Sequence, residues 1–180
     1  VIFALEEVHK IFSPLILLSA MMASLGADFL SKTFFGLGPV FSFGVPAPLP
    51  LGFYGHFLVL GVLCGVGGAL FCRAILELQT LYAKLPIPAS CRVVIPALLA
   101  VVAGSFLPEI LGGGHALVEY LGHGSHPASF ILLLFVGKLL FTALCFGSGA
   151  AGGIFLPMLA VGASLGAFYG TVAVQVYGLD

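Results

Sequence analysis

The chain has 180 residues, 61% of them hydrophobic and only 7% charged, and its formal net charge at pH 7 is -1. An ordinary soluble domain carries about 25% charged residues. The composition therefore excludes a soluble globular protein and points to an integral membrane protein, while the lack of any basic patch excludes a nucleic-acid partner.

Taken in chain order, the sequence opens on a very short apolar run, Val1–Leu5, followed by Glu6-Glu7. Acidic residues there, with no cleavage site, argue against a signal peptide. The start without Met predicts a piece of a longer protein. About 20 apolar residues at 1.5 Å rise cross a hydrocarbon core, and five segments meet or approach that length. The first is Pro14–Phe35, with Asp28 and Lys32 spaced to pair at i, i+4. The second, Phe53–Ala83, carries Arg73 and Glu77 at the same spacing, so its last turns are expected to protrude into water. The third is Cys91–Leu107. The fourth, Ala128–Phe146, has one charge, Lys138, and the fifth, Ile154–Tyr177, has none. A helix too short to span fits between Ala116 and Leu121.

Gly and Pro mark the loops between the spans. Lys10, Lys84 and Arg92 predict that their segments face the cytoplasm, whereas the Phe34–Leu51 and Pro108–Pro127 loops hold no Lys or Arg and are expected outside. Lys32 disagrees, and snorkelling would reconcile it. Rows of small residues, Gly162/Gly166/Gly170 and Gly61/Gly65 with Gly67 and Gly68 beyond, predict close helix packing.

Other candidate groups give little chemistry. Cys64, Cys72, Cys91 and Cys145 lack zinc-type spacing and read as small buried apolar residues. His115, His123 and His126 share one loop without a closely flanking ligand set, so no metal is expected. Lys138 could snorkel, pair with a carboxylate, or lend positive potential to an anion path. No nucleophile–base pair, HExxH, GxSxG or P-loop is present, so the chain is not read as an enzyme.

The segment GSGAAGGIFLP, Gly147–Pro157, breaks the helical pattern and restarts it. Irregular backbone at membrane depth survives only where protein buries it or where it lines a watery cavity. A helix restarting there presents first-turn N–H groups and the positive end of its dipole. Pro157 fits a first turn, and Gly149, Gly152 and Gly153 leave the approach open. The product would be a backbone anion site without Lys or Arg. A neutral site of this kind suits an ion that must also leave. A plain Gly-rich turn, satisfied by neighbouring helices, is the other reading of the same residues.

GSGAAGGIFLPMLAVGASLGAFYG resembles the GSGxxGGxFxPxLxxGAxxGxxxG signature of the CLC chloride channel and transporter family. The lead-in GKLLFTALCF resembles the family's preceding helix, and FALEEVHKIF the close of the helix with its paired glutamates. The resemblance spans nearly the whole chain. It implies an all-α polytopic fragment of the CLC inverted-repeat fold with broken helices: residues 1–35 would end the first repeat and 36–180 begin the second. It implies that the amides of Ile154 and Phe155 bind chloride, with Gly153 opening the approach and Gly147, Ser148, Gly149, Gly152, Leu156 and Pro157 supporting the loop. It implies that Glu7 relays protons, which favours chloride/proton exchange over a passive channel, in a homodimer of the cell membrane with no cofactor. The family's gating glutamate, pore serine and late-helix tyrosine are not among these residues. A non-transporting membrane scaffold is the alternative of another class.

Overall fold

The computed structural model describes residues 13–36, 51–124 and 126–177. Among them every regular element is helical: α1 (Pro14–Phe35), α2 (Tyr54–Lys84), α3 (Val94–Phe106), α4 (His115–Gly122), α5 (Ala128–Gly147) and α6 (Phe155–Tyr177). Short 3-10 turns, Leu51–Phe53, Ala89–Cys91 and Pro108–Ile110, precede α2, α3 and α4. Among the described residues, five stretches are long and apolar enough to cross a membrane: Pro14–Phe35, Tyr54–Lys84, Ala89–Phe106, Ala128–Gly147 and Phe155–Val176. The expected spans agree with these to within a few residues. The 3-10 turns do not appear in the sequence reading, because three residues are too few to show a period.

Two compact units divide the chain, Val1–Gly44 and Val45–Asp180. In the first, Pro14 opens α1 at a position where its missing N–H is not needed, and Leu17 N–H makes an early backbone bond to Ser13 C=O at 2.9 Å. Gly36 stops the helix at φ 96°, a left-handed value, donating its N–H to Lys32 C=O at 3.1 Å. The expected Asp28–Lys32 pair forms, at 2.8 Å.

The second unit is built around α2, α5 and α6. Its core joins Phe71 and Ile75 of α2, Phe135, Leu139 and Ala143 of α5, and Val161 of α6. Apart from the charged last turns of α2, these helices are largely apolar all round, so close approach rather than an amphipathic stripe decides which faces meet. Gly67 is the close point between α2 and α6: a Cβ there would lie 2.9 Å from Leu165 Cδ2. Gly61, Gly65, Gly162, Gly166 and Gly170 face no atom of the described residues within 4 Å of an added Cβ. Of the expected small-residue positions, Gly67 makes the close contact among the described residues and the others do not. Arg73 and Glu77 pair at 2.8 Å on an exposed face of α2.

Ser164 is fully buried in α6, and its hydroxyl donates to Ala160 C=O at 2.8 Å and Val161 C=O at 3.0 Å. Both carbonyls belong to the helix ladder, so deleting the hydroxyl orphans no partner. Ser164→Ala is expected to change stability by less than about 1 kcal/mol. Ser164→Leu, which adds bulk at the same closed position, is expected to cost about 1–3 kcal/mol. Melting temperatures of the two variants in detergent check the contrast.

The break between α3 and α5 lies deeper than a surface loop. Lys138 is fully buried and donates to the carbonyls of Ile110 at 2.9 Å and Gly112 at 2.7 Å, with Leu111 C=O at 3.5 Å. Ten residues of α5 precede Lys138, so the turn reaches about 15 Å along that helix. Its carbonyls find in the ammonium the donors that lipid would not supply. Lys138 therefore neither snorkels nor pairs with a carboxylate among the described residues; it holds backbone. Gly112 and Gly114 have positive φ, 64° and 102°. At Gly114 space forbids a side chain as well, since a Cβ would meet Ala160 Cβ at 2.4 Å and Lys138 Cε at 3.3 Å.

Candidate functional site

The site is built from the end of α5, the glycine segment and the first turn of α6. At the end of α5, Ser148 N–H donates to Leu144 C=O at 3.2 Å and Gly149 N–H to Phe146 C=O at 3.1 Å. Gly149 takes φ 81°, and nothing lies within 4 Å of an added Cβ, so conformation rather than space demands glycine there. Ser148 is buried, and its hydroxyl donates to Cys145 C=O at 2.6 Å while accepting a long bond from Ala150 N–H at 3.4 Å. Its role is local: the side chain closes the turn.

Gly147 is a packing glycine. A Cβ there would lie 3.0 Å from both Leu78 Cβ and Tyr82 Cδ2, so α2 presses directly on the end of α5. Tyr82 is buried, and its hydroxyl has no hydrogen-bond partner among the described residues. Neither Leu78 nor Tyr82 was among the sequence candidates. Nothing in their local pattern links them to a glycine on another helix.

Beyond Gly149 the chain runs exposed and irregular through Ala150–Gly153. No atom lies within 4 Å of a Cβ added at Gly152 or Gly153. Packing among the described residues therefore gives no reason for the glycine pair.

Helix α6 starts at Phe155, and Met158 N–H bonds Ile154 C=O at 3.0 Å. This makes Ile154 the N-cap, Phe155 the first helical residue, and Pro157 the third, a place where proline removes no helical bond. First-turn amides point out of a helix end, where the dipole is positive. The Ile154 side chain packs against the core cluster, which fixes the orientation of the helix start. Leu156 meets the Gly113 backbone, its Cβ and Cδ1 each 3.6 Å from an ideal Cβ there. Phe155 keeps 47% of its surface exposed.

Gly114 sits where α5 and α6 meet: an ideal Cβ there would lie 3.3 Å from Lys138 Cε and 2.4 Å from Ala160 Cβ. The arrangement can receive a small anion on peptide N–H groups, at a place reached through side-chain-free backbone.

The structure brings together Gly147, Ser148, Gly149, Gly152, Gly153, Ile154, Phe155, Leu156 and Pro157. Glu7 lies outside the described residues. The loop histidines sit elsewhere: His126 stacks on Tyr120 with ring centroids 4.3 Å apart, and His115 Nδ1 lies 3.7 Å from Glu119.

Residues 1–179 match the family described as Voltage gated chloride channel. The H(+)/Cl(-) exchange transporter ClcA of Vibrio cholerae is 35% identical over 181 residues, covering 96% of this chain and 38% of that protein. Its counterpart in Vibrio vulnificus is 32% identical over 183 residues, covering 96% and 38%. That of Citrobacter koseri is 30% identical over 183 residues, covering 98% and 39%. The chain spans less than two-fifths of the length of these relatives. A match over nearly every residue, on a set of five helices able to span a bilayer, makes this chain part of a multi-pass integral membrane protein and a member of the voltage-gated chloride channel family.

Proposed function

We propose that the intact protein exchanges chloride for protons across the cell membrane, and that this chain supplies its anion-binding helix start. The carrying observation is the start of α6 itself. It opens on amides rather than a charged side chain, and the exposed pair Gly152 and Gly153 leads into it without side chains. Chloride is bound there by the N–H groups of Ile154 and Phe155, with Gly153 giving access. The surrounding glycines and Ser148 hold the loop, and Leu156 and Pro157 complete the turn. Relatives named as H(+)/Cl(-) exchange transporters support exchange over passive flow.

Protons take a separate route through Glu7, a carboxylate at the edge of an apolar segment. An ionisable group in that setting is costly, and a role in proton transfer accounts for it. The protein works as a homodimer with one anion path per subunit. Nothing in this scheme needs a cofactor.

The test uses the intact protein in liposomes under a chloride gradient, with proton movement recorded. Uphill proton movement is expected in the wild type. In Glu7→Gln it is expected to disappear while chloride flux persists. Chloride flux without proton movement in the wild type would make the protein a passive channel. No chloride flux in either would reduce the glycine segment to packing.

A further inference from the structure

We propose that Lys138 sets the anion affinity of the α6 helix start through its charge, as a buried cation that no carboxylate neutralises. This rests on the anion site proposed above and adds a residue to it that touches no ion.

Three observations carry it. Lys138 is completely buried, in the middle of a helix otherwise free of charge. Its partners are the backbone carbonyls of Ile110, Leu111 and Gly112, and among the described residues no carboxylate pairs with it. Dipoles satisfy its N–H groups but leave its net charge in place. Lastly, it lies against the anion-binding helix: an ideal Cβ on Gly114 would sit 3.6 Å from Lys138 Nζ and 2.4 Å from Ala160 Cβ.

Structural economy alone does not explain a cation here. The carbonyls of a broken turn could be met by a neutral hydroxyl or amide. A charge inside an apolar helix is expensive and is kept where it serves a pathway. Ala160 lies only five positions after Phe155 in α6, about 7.5 Å of rise. A unit charge roughly 10–15 Å from a bound anion, at an effective dielectric of about 20, changes its affinity about tenfold. The helix dipole supplies direction at the site, and Lys138 supplies a longer-ranged potential that does not block the ion's exit.

The experiment is a chloride titration of the intact purified protein by calorimetry, with melting temperature read in parallel, for the wild type and for Lys138→Arg, Lys138→Gln and Lys138→Met. Lys138→Arg is expected to bind within about twofold of the wild type, and Lys138→Gln and Lys138→Met about tenfold more weakly. Gln keeps an N–H donor for the carbonyls, so a folding failure of the Met variant does not blunt the comparison. Wild-type affinity in a folded Lys138→Gln protein would show that the charge is not felt and would overturn the proposal. So would an Arg variant weakened as much as Gln, because shape would then be the cause. A folded wild type that binds no chloride would overturn the anion site itself, a result distinct from either.

Discussion

Gly114→Ala is expected to be among the most damaging single-methyl changes in the chain. The residue has φ 102°, and its new Cβ would meet Ala160 Cβ at 2.4 Å. Left-handed backbone costs a non-glycine residue about 1–2 kcal/mol. Overpacking costs a further 1–3 kcal/mol or so, and here no flexible side-chain tip can swing away, because Ala160 Cβ is attached directly to the α6 backbone at a fully buried position. A loss of about 3 kcal/mol is expected in all. It should be read as a fall in melting temperature and as weaker chloride binding, since relief of the clash must move α6 or the Gly112–Gly114 turn. Gly112→Ala serves as the comparison: its φ is 64°, but an added Cβ meets nothing within 4 Å. It should show the backbone cost alone. Equal losses in the two would mean that the Ala160 contact does not matter.

Phe155→Pro is expected to separate anion binding from folding. Proline is favoured at the first position of a helix, where its N–H has no role in the ladder. It also restricts the preceding residue to extended backbone, the usual conformation of an N-cap. Helix α6 should therefore form and the melting temperature should move by only a few degrees. One of the two amides assigned to chloride disappears. A hydrogen bond to a charged group contributes about 1.5–3 kcal/mol, so the chloride dissociation constant should rise roughly 10- to 100-fold. Phe155→Leu, which keeps the amide and changes the side chain, should bind nearly as the wild type does. If Leu and Pro weaken binding equally, the side chain and not the peptide group holds the ion.

These two positions also show how far the sequence could be read. The helix start at Ile154–Pro157 is legible because its signals are local: glycines that remove side chains, then a proline that fits a first turn. The spans are legible because each needs about 20 apolar residues in a row. Gly114 is not legible in that way. The need for glycine there comes from its left-handed φ of 102° and from Ala160, 46 residues further on. Lys138 was visible as a lone charge, but its partners are carbonyls, which every residue possesses, so no side-chain pattern could identify them. Gly147 could be named as part of a loop. That it is held by Leu78 and Tyr82 follows from the packing of α2 on α5.

The carbonyls gripped by Lys138 precede it in the chain by 26 to 28 residues, and this order bears on how the protein is made. At the centre of an inserting helix a lysine costs about 3 kcal/mol, whereas each Leu, Ile, Phe or Val returns about 0.3–0.6 kcal/mol. Segment α5 has twelve of the latter, so it can enter the bilayer unaided, though with its margin reduced by the charge. When it leaves the ribosome, the turn that will receive the ammonium has already been synthesised. The earlier segment can act as a waiting receptor for the later one, so α3, its following turn and α5 are suited to settle as one assembly step rather than as three independent insertions.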